Sequence, residues 1–276
     1  MSDLPATGLQ PSDVPLVSRR LSRRALLGSA AAVAGSAAVA PLFLHLDKLI
    51  PTTSAAAVAA NSPIRHRWVM VFDLRLCDGC GKCTTACQKT HYLEPDQTWM
   101  KVYELKDASG GQFFMPRLCM QCADPPCLRV CPVGATFKNR DGVVLINQDT
   151  CIGCRLCMSA CPYEARYFNW SEPTNKPLLP TTPTPEFPSP QRRGTVGKCT
   201  FCVHHTERGE LPACVTGCPM EVIWIGDLQA DVATNGVKTV RLSTFLAEND
   251  AVRYKDELNT GPQVYYILGH GQDLGF

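Results

Sequence analysis

Short apolar runs recur along this chain at the entrances to and exits from dense polar, cysteine-bearing loops. Trp68-Val69-Met70-Val71-Phe72-Asp73 leads into Cys77, and Val143-Val144-Leu145-Ile146 leads into Cys151. Runs this short, rich in β-branched and aromatic residues, predict strands that feed loops. Arg166-Tyr167-Phe168-Asn169-Trp170 and Glu221-Val222-Ile223-Trp224-Ile225 predict the strands that return from two later loops. The pattern is an internal repeat of strand, loop, helix and strand, not a string of unlike domains. Towards the end, Leu242 to Leu258 has the spacing of an amphipathic helix. Beyond Gly261-Pro262, Val264-Tyr265-Tyr266-Ile267-Leu268 predicts a further strand. This C-terminal stretch contains no apolar twenty-mer, so it predicts no membrane anchor there.

Two segments break the repeat. From Ser171 to Pro190 there are seven prolines among Ser, Thr and Asn, which predicts an extended surface excursion. A passive linker is the favoured reading over one that embraces a partner. At the other end, Ser18-Arg19-Arg20 and Ser22-Arg23-Arg24 are twin-arginine pairs, and Ala25 to Leu46 contains no Asp, Glu, Lys or Arg over 22 residues. This is the pattern of a twin-arginine (Tat) export signal. Ala38-Val39-Ala40 and Ala57-Val58-Ala59 resemble cleavage sites, and Pro41 with so much alanine favours removal. The length of the uncharged run also allows a retained anchor. Export in a folded state suits a protein whose cofactors are assembled in a reducing cytoplasm.

The formal net charge of +2 offers no bulk argument for a nucleic-acid partner, and none is expected. The cysteines change the picture far more. All 16 fall into four groups of four: Cys77, Cys80, Cys83, Cys87; Cys119, Cys122, Cys127, Cys131; Cys151, Cys154, Cys157, Cys161; and Cys199, Cys202, Cys214, Cys218. The first and third read C-x2-C-x2-C-x3-C, the bacterial ferredoxin run, in which the fourth cysteine ligates the other cluster of a pair. Four 4Fe-4S clusters, arranged two by two, are therefore expected. Proline follows the last cysteine at Pro132, Pro162 and Pro219, as suits a first helical turn, while the first group has Gln88 instead. The fourth group alone would pass for a zinc site, a reading set aside because three cluster-type groups accompany it. Cysteines two residues apart in triplets make poor disulfide partners.

On these residues the chain resembles, from Arg67 to Leu268, the four-cluster electron-transfer subunits of respiratory molybdopterin oxidoreductases. These include the dimethyl-sulfoxide, polysulfide, tetrathionate and formate enzymes, with similar subunits in nitrite reduction and in periplasmic hydrogenases. The segments that carry the resemblance are Cys77-Asp78-Gly79-Cys80-Gly81-Lys82-Cys83, Cys119-Met120-Gln121-Cys122 through Pro125-Pro126-Cys127, Cys151-Ile152-Gly153-Cys154, Lys198-Cys199-Thr200-Phe201-Cys202 and Leu211-Pro212-Ala213-Cys214. The resemblance implies that the first group pairs with the fourth and the second with the third. Cluster 1 would then be held by Cys77, Cys80, Cys83 and Cys218, and cluster 4 by Cys199, Cys202, Cys214 and Cys87. Cluster 2 would be held by Cys119, Cys122, Cys127 and Cys161, and cluster 3 by Cys151, Cys154, Cys157 and Cys131.

The implied fold class is α+β: two bacterial-ferredoxin-like two-cluster subdomains with short strands, cluster-binding loops and short helices. Residues 61–118 with 199–230 would form the first subdomain and 119–170 the second. Residues 1–60 would be the signal segment, 171–198 the proline-rich excursion and 231–276 a C-terminal helix and strand extension. The implied partners are a large molybdopterin-type (or nickel-iron) catalytic subunit and an integral-membrane quinone-interacting subunit, at the periplasmic or outer face of the cytoplasmic membrane. The alternatives are a hydrogenase electron-transfer subunit or a free-standing exported polyferredoxin.

No catalytic residue is assigned, since the chain contains no G-x-G-x-x-G, P-loop or G-x-S-x-G. Nor is a flavin or nicotinamide site visible. Arg75, Lys82, Arg117, Arg155 and Lys198 lie near cluster cysteines; each reads by default as an ordinary solvated cation, with a role in raising potentials as the alternative. Backbone N-H groups around Gly79, Gly81 and Gly153 are expected donors to sulfur. His204-His205 reads as an exposed loop pair that could touch a cluster or a quinone, and His45, His66, His91 and His270 as scattered.

Overall fold

The computed structural model describes residues 66–107, 109–179 and 181–274. The expected signal segment, residues 1–60, lies outside the described residues. Among those that are described, no helix is long and apolar enough to cross a membrane.

The largest sheet is built around β1 (Trp68–Asp73), flanked antiparallel by β8 (Ile223–Asp227) and parallel by β12 (Val264–Ile267). β9 (Val232–Thr234), β10 (Thr239–Arg241) and β11 (Val252–Arg253) complete it. The six strands lie in the order β10-β9-β8-β1-β12-β11. A central strand buried on both faces needs an apolar run, not an alternation, and β1 has one. Met70 and Phe72 face the core that contains many of the cysteines, while Val69 and Val71 face away from it. That second face is covered by a helix, Leu242–Glu248, whose Leu242, Phe245 and Leu246 recur at helical spacing; the Phe245 ring lies tilted against Trp224 at 4.7 Å.

This helix is shorter than the expected Leu242 to Leu258. Asp250 adopts the left-handed conformation, Ala251 N-H bonds Leu246 O at 3.1 Å, and Asp250 N-H bonds Ala247 O at 3.4 Å. These are the bonds of a Schellman-type C-cap, here built on Asp instead of Gly. The chain beyond it then pairs as β11 with β12, Val252 opposite Tyr266, and makes one 3-10 turn, Asp256–Leu258.

The remaining strands form two-stranded ribbons: β2 (Lys101–Lys106) with β3 (Gln112–Arg117), β4 (Thr136–Lys138) with β5 (Val144–Ile146), and β6 (Tyr167–Phe168) with β7 (Val196–Gly197). Together with short helices they make a mixed α and β architecture. The return strand expected over Arg166 to Trp170 has only two ladder residues. Asn169 continues the pairing, its N-H bonded to Thr195 O at 2.9 Å, but Arg166 turns into the interior.

The proline-rich segment is partly as expected, with Leu178 and Leu179 exposed. Its ends, however, are fastened. Glu94 accepts from Thr174 and Asn175, and the fully buried Ser189 donates its hydroxyl to His91 O at 2.7 Å. It is therefore a tethered excursion that packs at its far end, a correction to the expected surface linker.

Candidate metal centres

β1 delivers the chain to Cys77, and Arg75 fixes the corner by bonding Asp73 through Nε at 2.8 Å and Nη2 at 2.7 Å. Asp78 Oδ1 accepts from Cys80 N-H at 3.1 Å, tightening the loop. Gly81, in the left-handed region, then starts helix α1 (Lys82–His91). Residues four apart lie on one face of a helix, so α1 places Cys83, Cys87 and His91 in a single buried column. α1 packs on a short helix, Ala213–Thr216, which carries Cys214. A Cβ on Gly217, at the end of that helix, would lie 2.5 Å from Ala86 Cβ, so the crossing depends on a residue without a side chain.

These elements bring the thiols together in groups. One cavity is lined by Cys77, Cys80, Cys83 and Cys218, and another by Cys131, Cys151, Cys154 and Cys157. Burial raises the Cys83 thiol to about 11, with Cys218 and Cys77 adding to the effect. Cys87 is driven well above its usual range by burial and then by Cys199 and Cys202. Burial, with Cys119, Cys127 and Cys161 nearby, pushes Cys122 up to about 12. Cys157 is raised by burial, with Cys151 and Cys131 contributing. Cys131 goes the other way: burial pushes it up, but hydrogen bonds from the backbone at Thr136, Val133 and Ala135 outweigh burial and hold it down.

The groups also lie within electrostatic reach of one another in series. Cys83 acts on Cys87 and Cys214, linking the Cys77 group to the Cys199 group. Cys119 acts on Cys199, linking the latter group to the Cys119 group. A short helix Pro126–Arg129, carrying Cys127, packs on another, Leu156–Ser159, carrying Cys157. The sequence of neighbours is thus Cys77, Cys199, Cys119 and Cys151 groups.

The residues present fit iron-sulfur clusters. All 16 cysteines are free thiols, and among the described residues no three His, Cys, Asp or Glu side chains close to the spacing of a single metal ion. Thiols crowded and buried in this way resist ionising unless positive charge enters among them, and a coordinating metal deprotonates its thiols outright. Backbone donors are in place: Gly79 N-H on Cys77, Ala213 N-H on Cys202, and Phe201 N-H on Cys199 Sγ at 3.4 Å. Of the three expected glycine loops, the one at Gly79 supplies such a donor. The buried Arg166 guanidinium reaches the Cys127 and Cys157 thiols, and its Nη2 has no oxygen or nitrogen partner, which leaves a donor that a sulfur-rich anionic group would satisfy.

Gly153 holds the third group's loop closed. It has φ +69, and a Cβ there would lie 2.1 Å from Gly194 O. Gly153→Ala is expected to lose about 1–2 kcal/mol from the left-handed backbone alone, and more from displacing the Gly194 turn. Thermal melting with iron analysis checks this; an unchanged midpoint and full iron would mean the loop tolerates a side chain.

Several side chains differ from expectation. Lys198 is not solvated: it is 2% exposed, with Nζ bonded to Val144 O and to Cys199 O. Arg75, Lys82 and Arg155 keep solvent exposure, whereas Arg117 stacks over Tyr103 at 4.0 Å. His91 is not merely one of the scattered histidines, because its Nε2 lies 3.3 Å from Cys202 Sγ and burial drives its pKa to about 3. Its spacing of four from Cys87 was a usable signal. His204 is no exposed loop residue either. Both its ring nitrogens are buried, its ring lies tilted against Phe187 at 4.5 Å, and burial lowers its pKa to about 4. His66 bonds Asp227 at 2.7 Å, away from the thiols.

Four adjoining thiol groups with backbone donors to sulfur define the class of an iron-sulfur electron-transfer protein. Residues 111–177, which span the second and third groups, match the family model described as a 4Fe-4S dicluster domain. The chain is 37% identical to the menaquinone reductase iron-sulfur cluster-binding subunit of Nitratidesulfovibrio vulgaris over 235 residues, 73% of this chain and 88% of that one. To the iron-sulfur subunit of the arsenate respiratory reductase of a Shewanella species it is 34% identical over 232 residues, 73% and 96% of the two chains. To a subunit of the selenate reductase of Mesobacillus selenatarsenatis it is 39% identical over 225 residues, 76% and 75%. The chain belongs to this family of iron-sulfur subunits of oxidoreductases, and it is an electron-transfer subunit carrying 4Fe-4S clusters, not a catalytic one.

Proposed function

We propose that this chain relays single electrons through four 4Fe-4S clusters between a molybdopterin-type catalytic subunit and an integral-membrane quinone-interacting subunit. The ligand sets are Cys77, Cys80, Cys83 and Cys218; Cys199, Cys202, Cys214 and Cys87; Cys119, Cys122, Cys127 and Cys161; and Cys151, Cys154, Cys157 and Cys131. They divide between two ferredoxin-like subdomains, 61–118 with 199–230 and 119–170. The clusters supply one-electron redox capacity; the chain's own residues hold them in line, donate hydrogen bonds to sulfur and exclude water.

The observation that carries this reading is the serial order of the groups with an opening at each end. Cys80 and Cys154, one in each terminal group, are exposed, whereas Cys199, Cys202, Cys214 and Cys87 are buried. Around Cys154 stand exposed Ile152 and Trp170, at 63% and 64%, and beside the Cys77 group stands Leu76 at 55%. Apolar side chains surrounding an exposed redox group suit contact with a partner protein. The relatives' names, which are those of selenate, arsenate and menaquinone reductase subunits, support a respiratory complex with a quinone on one side. The twin-arginine pairs support export to the outer face of the cytoplasmic membrane.

Anaerobic purification of the tagged chain from its native membranes in mild detergent tests the partners. A large subunit with molybdenum or tungsten and a membrane subunit are expected to accompany it. Nickel with a hydrogenase pair, or a lone soluble iron protein, would contradict the proposal.

A further inference from the structure

Arg166 stands where the Cys119 and Cys151 groups meet. It follows the third cysteine group and precedes β6, and it is 7% exposed. Nη1 donates to Thr136 Oγ1 at 3.2 Å, and Thr136 is itself buried. Nη2 is also buried without an oxygen or nitrogen partner, and the guanidinium reaches the Cys127 and Cys157 thiols. No carboxylate forms an ion pair with it among the described residues; the groups its charge acts on are Cys127, Cys157 and Cys119. Cys127 and Cys119 belong to one proposed ligand set and Cys157 to the next. A buried guanidinium without a carboxylate is costly unless other negative charge compensates it. Arginine keeps its proton in proteins, so the charge is permanent.

We propose that Arg166 is the positioning residue that sets the reduction potentials of the clusters of the Cys119 and Cys151 groups, by fixing one full positive charge between their ligand sets. Each one-electron reduction adds a negative charge beside the guanidinium, which attracts it and exchanges no proton. The protein's lever here is nearby charge, not axial ligation or solvent access. Lys198 places a second buried cation near Cys127 and Cys199, so Cys127 lies within reach of both. The inference rests on the proposed ligand assignment.

The test is potentiometric EPR of the purified complex, with iron content measured on the same samples. The variants are Arg166→Met and Arg166→Gln, which are neutral, and Arg166→Lys, which keeps the charge. Two of the four midpoint potentials are expected to fall by about a tenfold change in the reduction equilibrium, about 59 mV for a one-electron couple. The other two are expected to stay, and Arg166→Lys to restore most of the shift. Neutral variants that load only the clusters of the Cys77 and Cys199 groups, while Arg166→Lys loads all four, would support the same charge requirement. Lysine and neutral variants that behave alike, whether fully loaded with unshifted potentials or equally depleted of iron, would overturn it. A wild-type complex without four clusters would instead count against the ligand assignment.

Discussion

Cys214→Ala is expected to remove one entire cluster, about a quarter of the bound iron if four cubanes are present, and to sever the relay. Cys214 is buried on the short helix that packs against α1, where it neighbours Cys202, Cys199 and Cys87. Alanine leaves three crowded thiols and no fourth ligand, and the enclosed position gives water little access to replace it. Because this group is second in the series, its loss opens a gap inside the relay. The drop in quinone-linked turnover should exceed the roughly 10–100-fold cost of losing only an outer-shell partner of a metal site. Iron analysis and EPR would register the missing cluster, and turnover the break. Unchanged iron and turnover would remove Cys214 from the ligand set.

Stripping the iron from the whole protein is expected to unfold it. Cys83, Cys87, Cys119, Cys122, Cys199 and Cys214 sit in the same core as Met70, Phe72, Leu145 and Tyr266. The clusters would therefore be core material and not attachments to it. For structural zinc sites, metal binding contributes about 10–16 kcal/mol, comparable to the whole stability of a domain at about 5–15 kcal/mol. Losing several such sites would exceed what the apolar core can offset. Near-ultraviolet circular dichroism and limited proteolysis of the iron-free chain measure this. A protein that kept its aromatic signal and its protease resistance would have a core that stands without metal.

What the sequence made legible was local. Cysteine spacing is a property of single loops, and the apolar run at Trp68 to Asp73 was legible as a strand feeding such a loop, though not as the centre of the sheet. The strand at Val264 was likewise visible, but not its place parallel to β1, since nothing local encodes a pairing between Met70 and Val264. The end of the Leu242 helix was missed because apolar periodicity continues past a cap formed by Asn249 and Asp250. Lys198 was harder still, and Arg166, read only as the start of a return strand, was not singled out among the cations. A cation reads as solvated until the fold brings it a partner, and those partners, Val144 O and Thr136 Oγ1, lie 54 and 30 residues away. His91 was the exception that could have been found, since α1 repeats Cys83 and Cys87 at the same interval to reach it.

The most direct test of the relay is a count of clusters together with their reducibility. Iron and acid-labile sulfide should be measured on the chain purified anaerobically with its native partners, followed by a reductive titration monitored by EPR. Four 4Fe-4S clusters that all take up electrons, with magnetic interaction between neighbours, are predicted. Fewer clusters, or clusters that stay inert across the titration, would contradict a continuous relay through this subunit.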